Sequence, residues 1–177
     1  MPGADRAPDV PYIITGIQTH RIQFLKSPLS YHKKENLTSS EKSLHLAALM
    51  LYWGEGAKGG NRVDFANSNP DMNKIFISLL RMIYQITEEK LRIQLYCHTN
   101  QDIGDLVKFW SELLEVPTNQ FTKPYVRRDF DVIKSQKMPY GLVHIRYSDS
   151  RLLAQIKSEI DIISNEIMLG WRSGNRS

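Results

Sequence analysis

This sequence predicts an α+β domain with helices covering one side of a sheet, and three observations carry that prediction. Short stretches that alternate apolar and polar residues fall between longer stretches with helical periodicity, in the order helix, strand, helix, strand, helix, strand, strand, helix. The alternation in the strand segments is what a sheet buried on one face requires. Finally, 177 residues with 41% hydrophobic and 24% charged side chains suit one ordinary globular domain.

Residues 1–37 lack strong periodicity and read as an N-terminal arm or extension. The domain proper spans 38–169, and 170–177 is a C-terminal tail. Leu37-Thr38-Ser39-Ser40-Glu41 is a helix start: Thr38 as N-cap with Glu41 three residues later forms a capping box. The run that follows, SLHLAALMLYW, is apolar on nearly every side and ends at Gly54-Glu55-Gly56. A helix so apolar must be covered on several sides. Arg62 to Ala66 then alternates as a strand, and Asn69-Pro70-Asp71 opens a helix whose first turn tolerates proline. That helix places Met72, Ile75, Phe76, Leu79, Met82 and Ile83 on one face. Leu91 to His98 is the clearest strand, followed by a helix bearing Ile103, Leu106, Val107, Trp110, Leu113 and Leu114. Strands at Thr122–Arg128 and Gly141–Ser148 and a helix from Ser150 to Leu169 complete the order. The two strand–helix units look like an internal repeat, with apolar positions matching at offsets of 30 and 31.

Several classes are excluded. A lone Cys97 rules out an intramolecular disulfide framework, and no CxxC or HExxH spacing suggests zinc. The longest apolar stretch, Leu46 to Trp53, is far short of the roughly 20 residues that span a bilayer. The N-terminus lacks an apolar signal core, so a cytoplasmic protein with no membrane partner is the expectation. Net charge is +4, and the window from Thr122 to Lys157 alone carries +5. Such clustering points to a polyanionic partner or to a solvated polar face.

Alternation also sorts the two sides of the sheet. Leu91, Ile93, Leu95 and Cys97 oppose Arg92, Gln94, Tyr96 and His98; Val143, Ile145 and Tyr147 oppose His144, Arg146 and Ser148. The first strand adds Arg62 and Asp64. The third exposes either Lys123, Tyr125 and Arg127 or their alternates, with Arg128 beyond. Arg, Gln and Lys pair with base edges in a major groove, and further cations neutralise phosphates. The candidate DNA-binding set is therefore Arg62, Arg92, Gln94, Tyr96, His98, Lys123, Arg127, Arg128, His144 and Arg146.

The segment Ala48-Leu49-Met50-Leu51-Tyr52-Trp53-Gly54-Glu55-Gly56 resembles the signature helix of the LAGLIDADG homing endonuclease superfamily. Gly54, Glu55 and Gly56 fit its closing triplet, and the resemblance covers about residues 38–168. It implies a saddle-shaped antiparallel sheet that binds double-stranded DNA. It also implies a homodimer, since one motif is present and two such helices pack together; Ala47, Ala48, Leu51 and Gly54 would face the partner helix. Glu55, beside Gly54, maps onto the acid that holds Mg²⁺ (or Mn²⁺) for phosphodiester hydrolysis. Lys58, Gln94, His98, His144 and Arg146 are the candidates to assist it. Met50 stands where the family places Gly or Ala, and a helix lies between the first two strands. The implied function is a DNA-binding endonuclease; the alternative is a non-catalytic DNA-binding transcription regulator on the same fold. A protein-interaction module that docks its apolar helix on another chain is a third reading.

Overall fold

The computed structural model describes residues 30–127 and 138–174, with side chains as far as 170, together with Thr19, Gln23, Lys26 and Ser27. Helix α1 spans Ser39–Glu55, and its capping box is made: the Glu41 amide donates to Thr38 Oγ1 at 3.3 Å, and the Thr38 amide donates to Glu41 Oε2 at 2.9 Å. Strand β1 (Val63–Asn67) leads into α2 (Pro70–Ser78), with Asn69 as N-cap and Pro70 in the first turn. The helix then widens into one π turn, Leu79–Ile83. Consecutive Leu79 and Leu80 are both buried there, and Met82, expected on the apolar face, is left 48% exposed. Strand β2 is Leu91–His98, α3 is Ile103–Leu114, β3 is Phe121–Arg127, β4 is Leu142–Tyr147 and α4 is Ser150–Gly174.

The sheet order is β1-β4-β2-β3. β4 is antiparallel to both β1 and β2, whereas β2 and β3 are parallel. The expected antiparallel sheet is therefore a mixed one. The reason is the connection: parallel neighbours need a crossover of a dozen or more residues, and α3 supplies it between β2 and β3. β1, β2 and β3 all run the same way, with β4 alone reversed and inserted between the first two. The repeat extends to the turns that enter the strands, since Glu88–Lys90 before β2 and Thr118–Gln120 before β3 are matching one-turn 3-10 helices.

One face of the sheet packs under the helices. Val63, Phe65, Leu91, Ile93, Leu95, Val143, Ile145 and Tyr147 are fully buried there, against Ala48, Leu49 and Tyr52 of α1, Phe76 of α2, Trp110 of α3 and Leu152 and Ile156 of α4. Phe65 and Phe76 stack with centroids 4.4 Å apart, and each such buried side chain contributes about 1.5–3 kcal/mol. The segment before α1 is tied in as well. Lys33 and His45 both reach the buried carboxylate of Glu159 on α4, at 3.1 and 2.6 Å, and Tyr84 and Gln155 donate to it too. No helix among the described residues is long and apolar enough to cross a membrane.

Candidate nucleic-acid interface

The strand residues on the other face stay half-buried or exposed, with His98 as the exception. Register brings them together: Asp64 on β1 lies opposite Arg146 on β4, and Arg146 lies opposite Arg92 on β2, while His144 faces Ala66 and Gln94. Asp64 accepts from His144 Nδ1 at 2.7 Å and from Arg146 Nε at 2.8 Å. Arg146 Nη1 also donates to Gln94 Oε1, and Gln94 Nε2 donates to the Lys123 carbonyl at 3.1 Å. One polar network thus crosses from β1 to β3. Burial alone would raise the Asp64 carboxyl, but the hydrogen bonds from His144 and Arg146 outweigh it and hold the group below its usual range. An ionised carboxylate only accepts, so Nδ1 of His144 carries the proton that joins them. Asp64 is the one carboxylate in the four strands.

Beside the network runs a row of rings on adjacent strands. His144 and Tyr96 have centroids 4.6 Å apart, and Tyr96 and Tyr125 4.9 Å. Two local features place them. Gly141, at φ +65°, leads into β4 where a Cβ would stand 2.6 Å from the Tyr96 carbonyl, so only glycine lets the strands close up. In β3 the register slips by one residue at Lys123–Pro124. Proline is tolerated on an edge strand and at a bulge, and this one turns Tyr125 onto the open face opposite Tyr96.

The residues singled out from the sequence fare differently. Arg62 and Arg127 are exposed at the margins of this face, and Lys123 is exposed within the β3 bulge. Arg92 is exposed, but its Nη1 donates to the carbonyls of Glu89 and Leu91 at 2.6 and 2.7 Å, which folds it back from Arg146. Gln94, His144 and Arg146 belong to the network and Tyr96 to the ring row. His98, expected to face outward, is 3% exposed, and its Nδ1 has no partner among the described residues. Its burial follows from the strand end, where Gln101 hydrogen-bonds the His98 backbone and reaches the Met138 carbonyl. Arg128 lies outside the described residues. Asp64 and Tyr125 are the contributors that sequence reasoning did not rank. Cross-strand register reveals the first and the β3 bulge the second, and neither is a local pattern.

Helix α1 ends against β1. Its terminus is held to β1 by a bridge from Gly56 to Phe65 and by the Ala57 amide donating to the Asp64 carbonyl at 2.8 Å. Lys58, a candidate assisting cation, donates to the carbonyls of Tyr52 and Gly56 and so satisfies the helix end. Glu55 and Gly54 are exposed, and no group of three or more metal-ligating side chains occurs among the described residues. Ala48 is fully buried in the chain's own core and Leu51 packs partly against it, so neither belongs to an outward face. The outward face consists of Leu46, Ala47 and Trp53, flanked by half-buried Met50 and by Gly54. The two motif glycines differ in kind: a Cβ on Gly56 would press into the Tyr52 ring at 2.5 Å, whereas nothing lies within 4 Å of one on Gly54. Compared with protein-family models, curated proteins and solved structures, the chain matches none.

Proposed function

We propose that the chain binds double-stranded DNA on the open face of its sheet. One observation carries the reading: four strands turn a single carboxylate, already neutralised by His144 and Arg146, toward a side that Arg62 and Arg127 border. Such a face attracts phosphates, with an affinity that falls steeply as salt displaces the contacts. Fluorescence anisotropy with a labelled duplex tests it. Binding at low salt that weakens with added salt, and weakens further in the Arg62→Ala, Arg127→Ala double variant, is the expected result. A duplex that does not bind at low salt rejects the reading.

The LAGLIDADG-type reading adds a homodimer and a metal-bound Glu55. The apolar outward stripe of α1 supports the dimer, as does the space around Gly54, which no contact within the chain requires. Residue by residue, Glu55 with its copy would be the acid pair holding Mg²⁺ or Mn²⁺, which would activate water for phosphodiester cleavage. A regulator that binds without cutting is the alternative. Calorimetry with Mn²⁺ in the presence of DNA separates the two. Heat of binding that vanishes in Glu55→Gln supports the nuclease; its absence in both proteins supports the regulator.

A further inference from the structure

We infer that the same face holds an unpaired, single-stranded segment of DNA, with a base stacked against the Tyr125 end of the ring row. The inference rests on the proposed DNA binding and adds to it a place for an unpaired segment on the same face. Tyr96 has His144 on one side at 4.6 Å and Tyr125 on the other at 4.9 Å, so neighbours already occupy both of its sides. Tyr125 is different. It sits on the edge strand, 54% exposed, and ends the row among the described residues. Its ring leans on Tyr96 at 35° on one side, and the exposed remainder is open to a planar base.

Charge completes the fit. Arg127 is exposed two residues beyond Tyr125 on the same face, and Lys123 is exposed in the bulge that precedes it, both within reach of the phosphates that flank a stacked base. The amide and guanidinium groups closer to the centre are committed. Gln94 bridges Arg146 and the Lys123 carbonyl, Arg146 holds Asp64, and Arg92 is bound to two backbone carbonyls. Reading base edges in a major groove needs free ends on those side chains. Stacking needs none of them, because every base has a π face. The side chains suited to groove readout are thus engaged, and the one suited to stacking is presented.

The test uses the full chain and three labelled DNA probes: a single strand of about 12 nucleotides, within the roughly 4–16 that one stacking platform covers; its duplex; and an abasic strand of equal length. The intact strand is expected to bind more tightly than either of the others. Tyr125→Ala should weaken strand binding by about 5- to 150-fold, the range one stacked base provides, and weaken duplex binding by a smaller factor. Tyr125→Trp should restore strand binding. Equal affinity for the intact and abasic strands overturns the inference, as does a Tyr125→Ala loss of equal size for strand and duplex. In either case the duplex reading survives on its own data. The same strand made as RNA and binding more tightly than DNA also overturns it, and failure of every probe removes both readings.

Discussion

The carboxylate of Asp64 and the Nδ1 of His144 lie 2.7 Å apart across two strands, on the side of the sheet that the helices leave open. Arg146 shares the same carboxylate, so the face holds a neutralised cluster at its centre and cations at its margins.

Removing that carboxylate should therefore tighten DNA binding. Asp64→Asn keeps the shape, frees Arg146 from an ion pair and adds a unit of positive charge to the face. Duplex affinity at low salt is expected to rise, and the slope of log affinity against log salt to steepen by roughly one. Anisotropy titrations across salt concentrations read both quantities. An unchanged slope would show that the face does not meet phosphates.

The glycines of the Gly-Glu-Gly triplet should separate on substitution. Gly56→Ala drives a methyl group into the Tyr52 ring and is expected to cost about 1–3 kcal/mol in urea unfolding, as overpacking does. Gly54→Ala meets nothing inside the chain and should change stability by less than about 0.5 kcal/mol. Equal costs at the two positions would contradict the packing described for Tyr52.

Self-association should depend on Trp53, which is 52% exposed, and not on the inner side of α1. Trp53→Glu is expected to convert a dimer to a monomer in sedimentation while the melting temperature of the monomeric unit stays close to that of the parent. Leu51→Lys is the poorer probe, because Leu51 packs partly on the core and its loss confounds association with folding.

Acid stability should follow Glu159. Burial opposes its ionisation, yet the hydrogen bond from His45, the charge of Lys33 and the Tyr84 hydroxyl hold its carboxyl at about 2 against an ordinary 4.5. The folded state thus gives up this proton more readily than the unfolded state. The resulting stability, of order 3 kcal/mol, is complete above pH 4.5 and lost as pH falls toward 2. Glu159→Gln leaves buried partners unmatched and should cost about 3–5 kcal/mol near neutrality. Its unfolding midpoint should also vary less with pH across that window, as urea titrations at several pH values will read.

Every helix and strand described in the core was legible in the sequence, because a strand written Leu91-Arg92-Ile93-Gln94-Leu95 or a box written Thr38-x-x-Glu41 states its own local geometry. Pairing was not legible in the same way. Nothing in the residues of β4 says that it enters between β1 and β2, since either face pattern is satisfied by any neighbour. The parallel β2–β3 pair contradicts the expected antiparallel sheet for the same reason. At the candidate site, alternation found Arg92, Gln94, His144 and Arg146 on one side but not that three of them bind one another or Asp64. Ala48 and His98 were misplaced because an all-apolar helix hides which face is inward, and a strand end loses its alternation where a turn folds over it.

The position of β4 also governs how the chain is made. During synthesis β1, β2 and β3 all leave the ribosome before Leu142–Tyr147, yet among the described strands β1 pairs only with β4. Until β4 emerges, only the β2–β3 pair of this sheet can form, and an edge of β1 and an edge of β2 remain open to other strands. The nascent protein is therefore most vulnerable to mispairing before β4 emerges, and its sheet closes as the reversed strand arrives between the two waiting for it.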